Sequence, residues 1–415
     1  MVDAKPAEVE NPPVRSSPSA ILGLKRNVAV LAASVFGIGL AEELWQVFLP
    51  KYLAALGASG AAIGLFASTR DLLDGLYQYP GGWLTDRFGR KRTLLLLTTA
   101  AIAGYATYAA AWHWVVVFAG VFLVMAWKSG AFPATFAVIG DALPEGRRAI
   151  AFAVQSILVR VPRIVAAPLG GALIVAYGVR AGMRVALGIS IVLAVCVLIA
   201  QHRGFRADGP EPGRHDPASF TQVWQRMAPR LKRLLFADCL VRIGEGIAAS
   251  FVVLYVTGPL GLSAAQFGIL YATQQAVAVV LYLPMGKVGD VAGRRPLVAA
   301  TFAFFAAFPL AIRMAPGFPA LVLAFVIGGM REMGEPARKS LIVDLSEPAH
   351  RGRSVGVYYT VRNLLVVPAG VVGGVLWQRS PVLPLEAAFV VAALGAVVYL
   401  VTSRGGATNR QDADS

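Results

Sequence analysis

Apolar stretches of about 20 residues recur down the whole chain, each long enough to cross the hydrocarbon core of a bilayer as a helix. Twelve can be placed, at about residues 27–53, 60–81, 93–112, 114–140, 149–177 and 182–202, then 231–257, 264–285, 296–315, 318–343, 353–377 and 384–404. Backbone polar groups in lipid must be bonded within the chain, so the pattern predicts an all-α polytopic membrane protein with twelve transmembrane helices. Composition agrees. Only 15% of the 415 residues are charged and 57% are hydrophobic, whereas a soluble domain carries about 25% charged residues.

The net charge of +15 does not point to nucleic acid, because Lys and Arg gather in alternate loops. Lys25 and Arg26 precede the first span. Arg87, Arg90, Lys91 and Arg92 follow the second, Arg147 and Arg148 the fourth, and Lys287, Arg294 and Arg295 the eighth. This asymmetry sets orientation and places both termini in the cytoplasm of a plasma (inner) membrane protein. The expected organisation is a cytoplasmic N-terminal tail at 1–24, a six-helix bundle at 25–202, and a basic Gly/Pro-rich cytoplasmic linker at 203–230. A second six-helix bundle follows at 231–404, with a short cytoplasmic tail at 405–415. Cys196 and Cys239 sit in or beside apolar runs with no paired spacing. They read as small core residues, and no cofactor or metal is expected.

The two halves repeat one another. The frame Pro-x-Gly-x-x-x-Asp-x-x-Gly-Arg-(Lys/Arg) occurs at Pro80, with Gly82, Asp86, Gly89 and Arg90, and again at Pro284, with Gly286, Asp290, Gly293 and Arg294. Asp86 and Asp290 stand 204 positions apart (290 − 86). Leu56-Gly57-Ala58-Ser59 matches Leu260-Gly261-Leu262-Ser263 at the same spacing. Pro133-Ala134 with Asp141 matches Pro336-Ala337 with Asp344, and Gly170-Gly171 matches Gly373-Gly374. Internal duplication on this scale belongs to transporters whose two bundles rock about a site near the midplane.

On these residues the chain resembles the major facilitator superfamily over about 25–404. The resemblance implies two pseudo-symmetric six-helix bundles, alternating access, a monomer, and a central cavity lined by spans 1, 4, 7 and 10. It further implies that Gly82, Asp86, Gly89, Arg90 and Asp141, with Gly286, Asp290, Gly293, Arg294 and Asp344, form a latch on the cytoplasmic side. In that latch Arg90 reaches Asp141 and Arg294 reaches Asp344. Ala167-Pro168-Leu169-Gly170-Gly171 resembles the end of a signature associated with antiporters, with one residue instead of two between proline and glycine pair. Its plain reading is close helix packing.

A charge inside a membrane costs about 2.5–3.5 kcal/mol and so calls for a partner or a purpose. Arg70 with Asp74, Arg331 with Glu335, and Glu335 with Lys339 are spaced i,i+4, and Arg242 with Glu245 i,i+3, so each set can pair locally. Lys128, Arg160, Arg163 and Arg362 have no local acid, and Glu42 and Glu43 no local cation. Two readings stay open. Lys128, Arg160, Arg163, Arg242, Arg331 and Arg362 bind an anionic group of a solute, or they pair with Glu42, Glu43 and Glu245. No histidine lies in mid-span. Glu42, Glu43, Asp71, Asp74, Glu245 and Glu335 are therefore the candidates for carrying a coupling proton. Trp45, Phe48, Tyr77, Tyr271, Tyr358 and Tyr359 are candidates for lining the path.

The combined expectation is a non-enzymatic secondary transporter in the lipid bilayer, moving a small anionic or zwitterionic organic solute with H+ as coupling ion. The first alternative is proton-driven efflux of hydrophobic compounds. A receptor or scaffold that moves nothing is the remote one.

Overall fold

The computed structural model describes residues 18–142, 148–205, 220–346 and 351–404. The first half runs α1 (Pro18–Glu43), a 3-10 turn (Gln46–Phe48), α2 (Leu49–Ala55), α3 (Gly60–Phe88), α4 (Arg90–Ala110), α5 (Trp114–Ala142) and α6 (Arg148–Gly204). A short helix, α7 (Phe220–Arg226), stands in the predicted linker. The second half runs α8 (Pro229–Ala249), α9 (Val252–Thr257), α10 (Ala264–Ala292), α11 (Arg294–Met314), α12 (Phe318–Met330), α13 (Glu335–Asp344), α14 (Arg351–Val366), α15 (Pro368–Arg379) and α16 (Leu383–Arg404). These make twelve crossings in two six-helix halves, the all-α membrane fold that the apolar pattern predicts. α6 holds two of them, joined at Gly178 with φ 78°.

Nine stretches among the described residues are long and apolar enough to span by composition alone. The shortfall has local causes. α6 counts once, α3 carries Arg70, Asp71 and Asp74, and the tenth crossing is split between α12 and α13.

Four crossings expected as continuous helices are broken. The first passes through the 3-10 turn before Pro50, which lacks an N–H and crowds the carbonyl four residues back. Pro336 and Pro368 act likewise at the α12–α13 and α14–α15 breaks. The seventh crossing breaks at Ser250 and Phe251 without a proline. Gln46 and Ser250 are 204 apart (250 − 46), the spacing of the duplicated loops, so crossings 1 and 7 are interrupted at equivalent heights.

Within the first half α1 packs on α6, and α5 lies between α3 and α4. Within the second, α16 packs on α8 and α11. The halves meet where α10 crosses α6 and α15 crosses α3. Both crossings are seams of main chain. A Cβ placed on Gly64 would come 2.3 Å from the Gly370 carbonyl oxygen, and one on Gly374 2.5 Å from that of Gly60. On the other seam, a Cβ on Gly171 would come 2.4 Å from the Ala264 carbonyl oxygen and one on Gly268 2.5 Å from that of Ala167. Lipid supplies no hydrophobic drive between helices, so close backbone approach through small residues holds such contacts. The Ala167–Gly171 cluster is therefore seated as packing. Both seams lie at the helix ends remote from the duplicated loops.

The loops themselves turn on Gly89 (φ 78°, ψ 162°) and Gly293 (φ 87°, ψ 150°), a conformation open essentially to glycine alone. Arg294 pairs with Asp344 across the second loop. Gly82, Asp86, Asp141, Gly286 and Asp290 fall on helix segments whose side chains lie outside the described residues, as do the tails at 1–17 and 405–415 and the linker at 206–219. Cys239 is buried, but Cys196 is exposed on the outer face of α6, contrary to its expected core placement.

Two outcomes follow from this geometry. Gly374→Leu should lower the thermal midpoint of the purified protein more than Gly75→Leu, since Gly75 has open space around it. The difference should correspond to about 1–3 kcal/mol of overpacking, and equal midpoints would argue against a load on the seam. Gly89→Ala should cost about 1–3 kcal/mol through its backbone angles, read in the same assay.

Candidate functional site

A cavity of about 270 Å³ opens between the halves. Both interrupted crossings supply its wall: Gln46, Val47 and Pro50 from the first half, Ala249, Ser250, Val252 and Val253 from the second. Broken helices near mid-membrane are the usual seat of a transporter's binding site, because main-chain groups are freed there. Its wall includes an aromatic group, Phe267, Phe305, Phe308 and Phe325 with Tyr271. The same wall carries Arg70, Arg160, Arg163 and Arg331 with Glu245, Glu332, Gln274 and Gln275.

Most of these charges are paired, and the arginines in the wall take their partners from other helices. Arg160 on α6 reaches Glu332, between α12 and α13, at 2.8 Å, an ion pair that joins the two halves. Its guanidinium also lies 5.8 Å from the Tyr282 ring centre. Arg163 holds Glu43 at 2.9 Å. Arg331 meets Glu245 at 3.4 Å, donates to the Gly328 carbonyl at 2.9 Å, and lies 4.5 Å from the Phe308 ring centre. Arg242 binds Glu245 at 2.9 Å and Glu335 at 3.5 Å.

Several sequence expectations change accordingly. Arg163 with Glu43 and Arg331 with Glu245 pair as the second reading has it, whereas Arg160 pairs with Glu332 and Arg362 lies beside Asp238, acids that neither reading names. Arg331 pairs with Glu245 and not with Glu335, because the chain leaves the helix between them. The Arg70–Asp74 pair does not form either. Asp74 accepts from the Ser129 hydroxyl at 2.5 Å, leaving Arg70 in the cavity wall. The i,i+4 pair Glu335–Lys339 is present at 3.6 Å.

Of the six proposed cavity cations, Arg160, Arg163 and Arg331 line the cavity. Lys128, Arg242 and Arg362 stand one layer back. Lys128 donates to Gln46 at 2.9 Å, and Glu42 accepts from the Tyr105 hydroxyl at 3.0 Å. Tyr271 lines the wall as anticipated, whereas Trp45, Phe48 and Tyr358 are fully buried in the helix cores.

One organising residue escapes sequence reasoning. Asp238, fully buried on α8, accepts from Arg338 and from the Tyr358 hydroxyl at 3.0 Å. Arg362 lies 3.7 Å and Arg242 3.9 Å from it. Its signal was present as a lone acid in an apolar run, four residues before Arg242.

The family model for the Major Facilitator Superfamily matches residues 31–235 and again 234–411. The chain is 24% identical over 395 residues to a multi-drug resistance efflux pump PmrA homolog of Lactococcus lactis, covering 91% of this chain and 94% of that protein. It is 25% identical over 370 residues to the multidrug resistance protein MdtG of Escherichia fergusonii, covering 85% and 88%. Among solved structures, the nucleoside transporter NupG superimposes with a TM-score of 0.75 at 13% identity, over 91% of this chain and 99% of that one. A POT family transporter bound to a thioalcohol-conjugated peptide gives 0.74 at 13% identity, over 92% and 96%. Matched in both halves by one family model, and sharing its fold with solved transporters, this integral membrane protein belongs to the major facilitator superfamily of transporters.

Proposed function

We propose that the protein is a secondary transporter that carries a small amphipathic organic solute, anionic or zwitterionic, by alternating access with H+ as coupling ion. It acts as a monomer in the inner membrane with both termini in the cytoplasm. The observation that carries this reading is the cavity wall, where four arginines and two glutamates share the lining with a group of aromatic rings at the contact between the halves. Guanidinium groups bind carboxylates through forked, charge-assisted hydrogen bonds, and the rings accept an apolar body.

The pairing supports a route for coupling. A solute carboxylate that takes Arg163 competes with Glu43, which is 5% exposed and has one oxygen without a partner. A carboxylate buried without its counter-charge is costly and is relieved by binding a proton. Competition at Arg160 releases Glu332 and loosens the tie between the halves. Solute binding, proton uptake and rocking thus share the same side chains.

The aromatic bank also suits the second reading, efflux of hydrophobic compounds, and the PmrA homolog and MdtG bear names of that kind. Counterflow in proteoliposomes separates the two. Exchange of phenylpropionate, with tetraphenylphosphonium excluded, is the expected result; the reverse preference would favour efflux of hydrophobic cations, and no exchange of either would count against transport of this class. A Glu42→Gln, Glu43→Gln double variant should exchange solute without dependence on pH. If its proton flux matches that of the native protein, these two carboxylates are not the coupling groups.

A further inference from the structure

Three of the four cavity arginines are committed to glutamates: Arg160 to Glu332, Arg163 to Glu43 and Arg331 to Glu245. The fourth, Arg70, is not. Its neighbour Asp71 and the acid one turn on, Asp74, are on its own helix, yet Arg70 makes no hydrogen bond or ion pair among the described residues. It nevertheless lines the cavity, ten residues into the 29-residue helix α3 and so far from either end. Asp71 lies near enough to interact with it electrostatically, yet a guanidinium at that depth with its N–H groups unfilled is costly to keep.

A second group in the same wall lacks a partner. Gln275 on α10 is 5% exposed and lines the cavity, and its side-chain oxygen is buried with no donor. A buried amide oxygen left without a hydrogen bond costs about 1–3 kcal/mol. The first half therefore offers an unfilled donor fork and the second an unfilled acceptor, with aromatic rings in the same wall.

We propose that Arg70 is the anion-recognition residue of the cavity, and that Gln275 receives an N–H of the same solute. The solute class is then an amphipathic zwitterion: a carboxylate, an amine or amide N–H, and an aromatic or branched apolar body. This assignment rests on the function proposed above and divides its labour. Arg70 binds without displacing an internal partner and so sets affinity. Arg160 and Arg163 bind only by releasing a glutamate and so set turnover.

The test is a thermal-shift titration of the full-length protein in detergent with phenylpropionate, L-phenylalanine and L-phenylalanine methyl ester. Both carboxylates should raise the midpoint of the native protein, and the ester should not. Arg70→Gln should weaken both carboxylates about tenfold or more, the loss expected of a charge-assisted contact. Gln275→Leu should weaken phenylalanine and leave phenylpropionate unchanged. If Arg70→Gln binds the carboxylates as the native protein does while Arg331→Gln does not, the anion is held elsewhere. The assignment is then overturned and the solute class survives. If neither carboxylate stabilises the native protein, whatever the ester does, the solute class itself is overturned and the assignment with it. Should Arg70→Gln fail to fold, Arg70→Lys keeps the charge but loses the fork, and undiminished phenylpropionate binding by that variant overturns the assignment.

Discussion

Hydrocarbon cannot hold a bare charge cheaply, and that constraint arranges the interior of this protein. Each ionised side chain in the spans must find an opposite charge, a hydroxyl or water. The helices cannot offer all of these locally, so the charges turn inward and meet at the contact between the halves. The cavity is the result. It is polar because the sequence carries arginines that lipid will not accept, and it is central because both halves contribute charged groups to it.

The two halves solve the problem differently. Among the described residues of the first, Glu42 rests on a tyrosine hydroxyl and Asp74 on a serine, and Glu43 is held by Arg163. In the second, Asp238, Glu245 and Glu335 share Arg242, Arg331, Arg338 and Arg362 in one connected set. Breaking one contact in such a set leaves the others in place, whereas an acid held by one hydroxyl responds to a single change. A duplicated scaffold thus carries a stiff electrostatic half and a responsive one.

The sequence makes some of this legible and hides the rest for a physical reason. The crossings follow from the length of apolar runs, and the duplication from Asp86 and Asp290, because both are periodicities within the chain. Three of the four helix breaks have a proline beside them and were readable in principle; the break at Ser250 has none. Ion-pair partners were largely unreadable. Arg160 and Glu332 are 172 positions apart and Arg163 and Glu43 are 120 apart, so only tertiary packing brings them together. Local spacing favoured Arg70 with Asp74, and the nearness of Ser129 on a neighbouring helix overrode it. Asp238 was missed because its partners lie mostly on other helices.

The contact between the halves at Gly64 and Gly370 has a mechanical consequence. Most main-chain groups there are bonded along their own helices, while the Val371 N–H donates across the seam to the Ser68 hydroxyl at 3.1 Å. Parting the two surfaces therefore strands few polar groups beyond that pair, and the rest of what is forfeited is dispersion, about 0.1–0.2 kcal/mol for each atom pair. Few side chains need change rotamer as the surfaces separate. The glycine faces behave as a dry bearing, smooth and shallow in energy, on which a rigid bundle can tilt while the chemistry of the vestibule is free to vary independently.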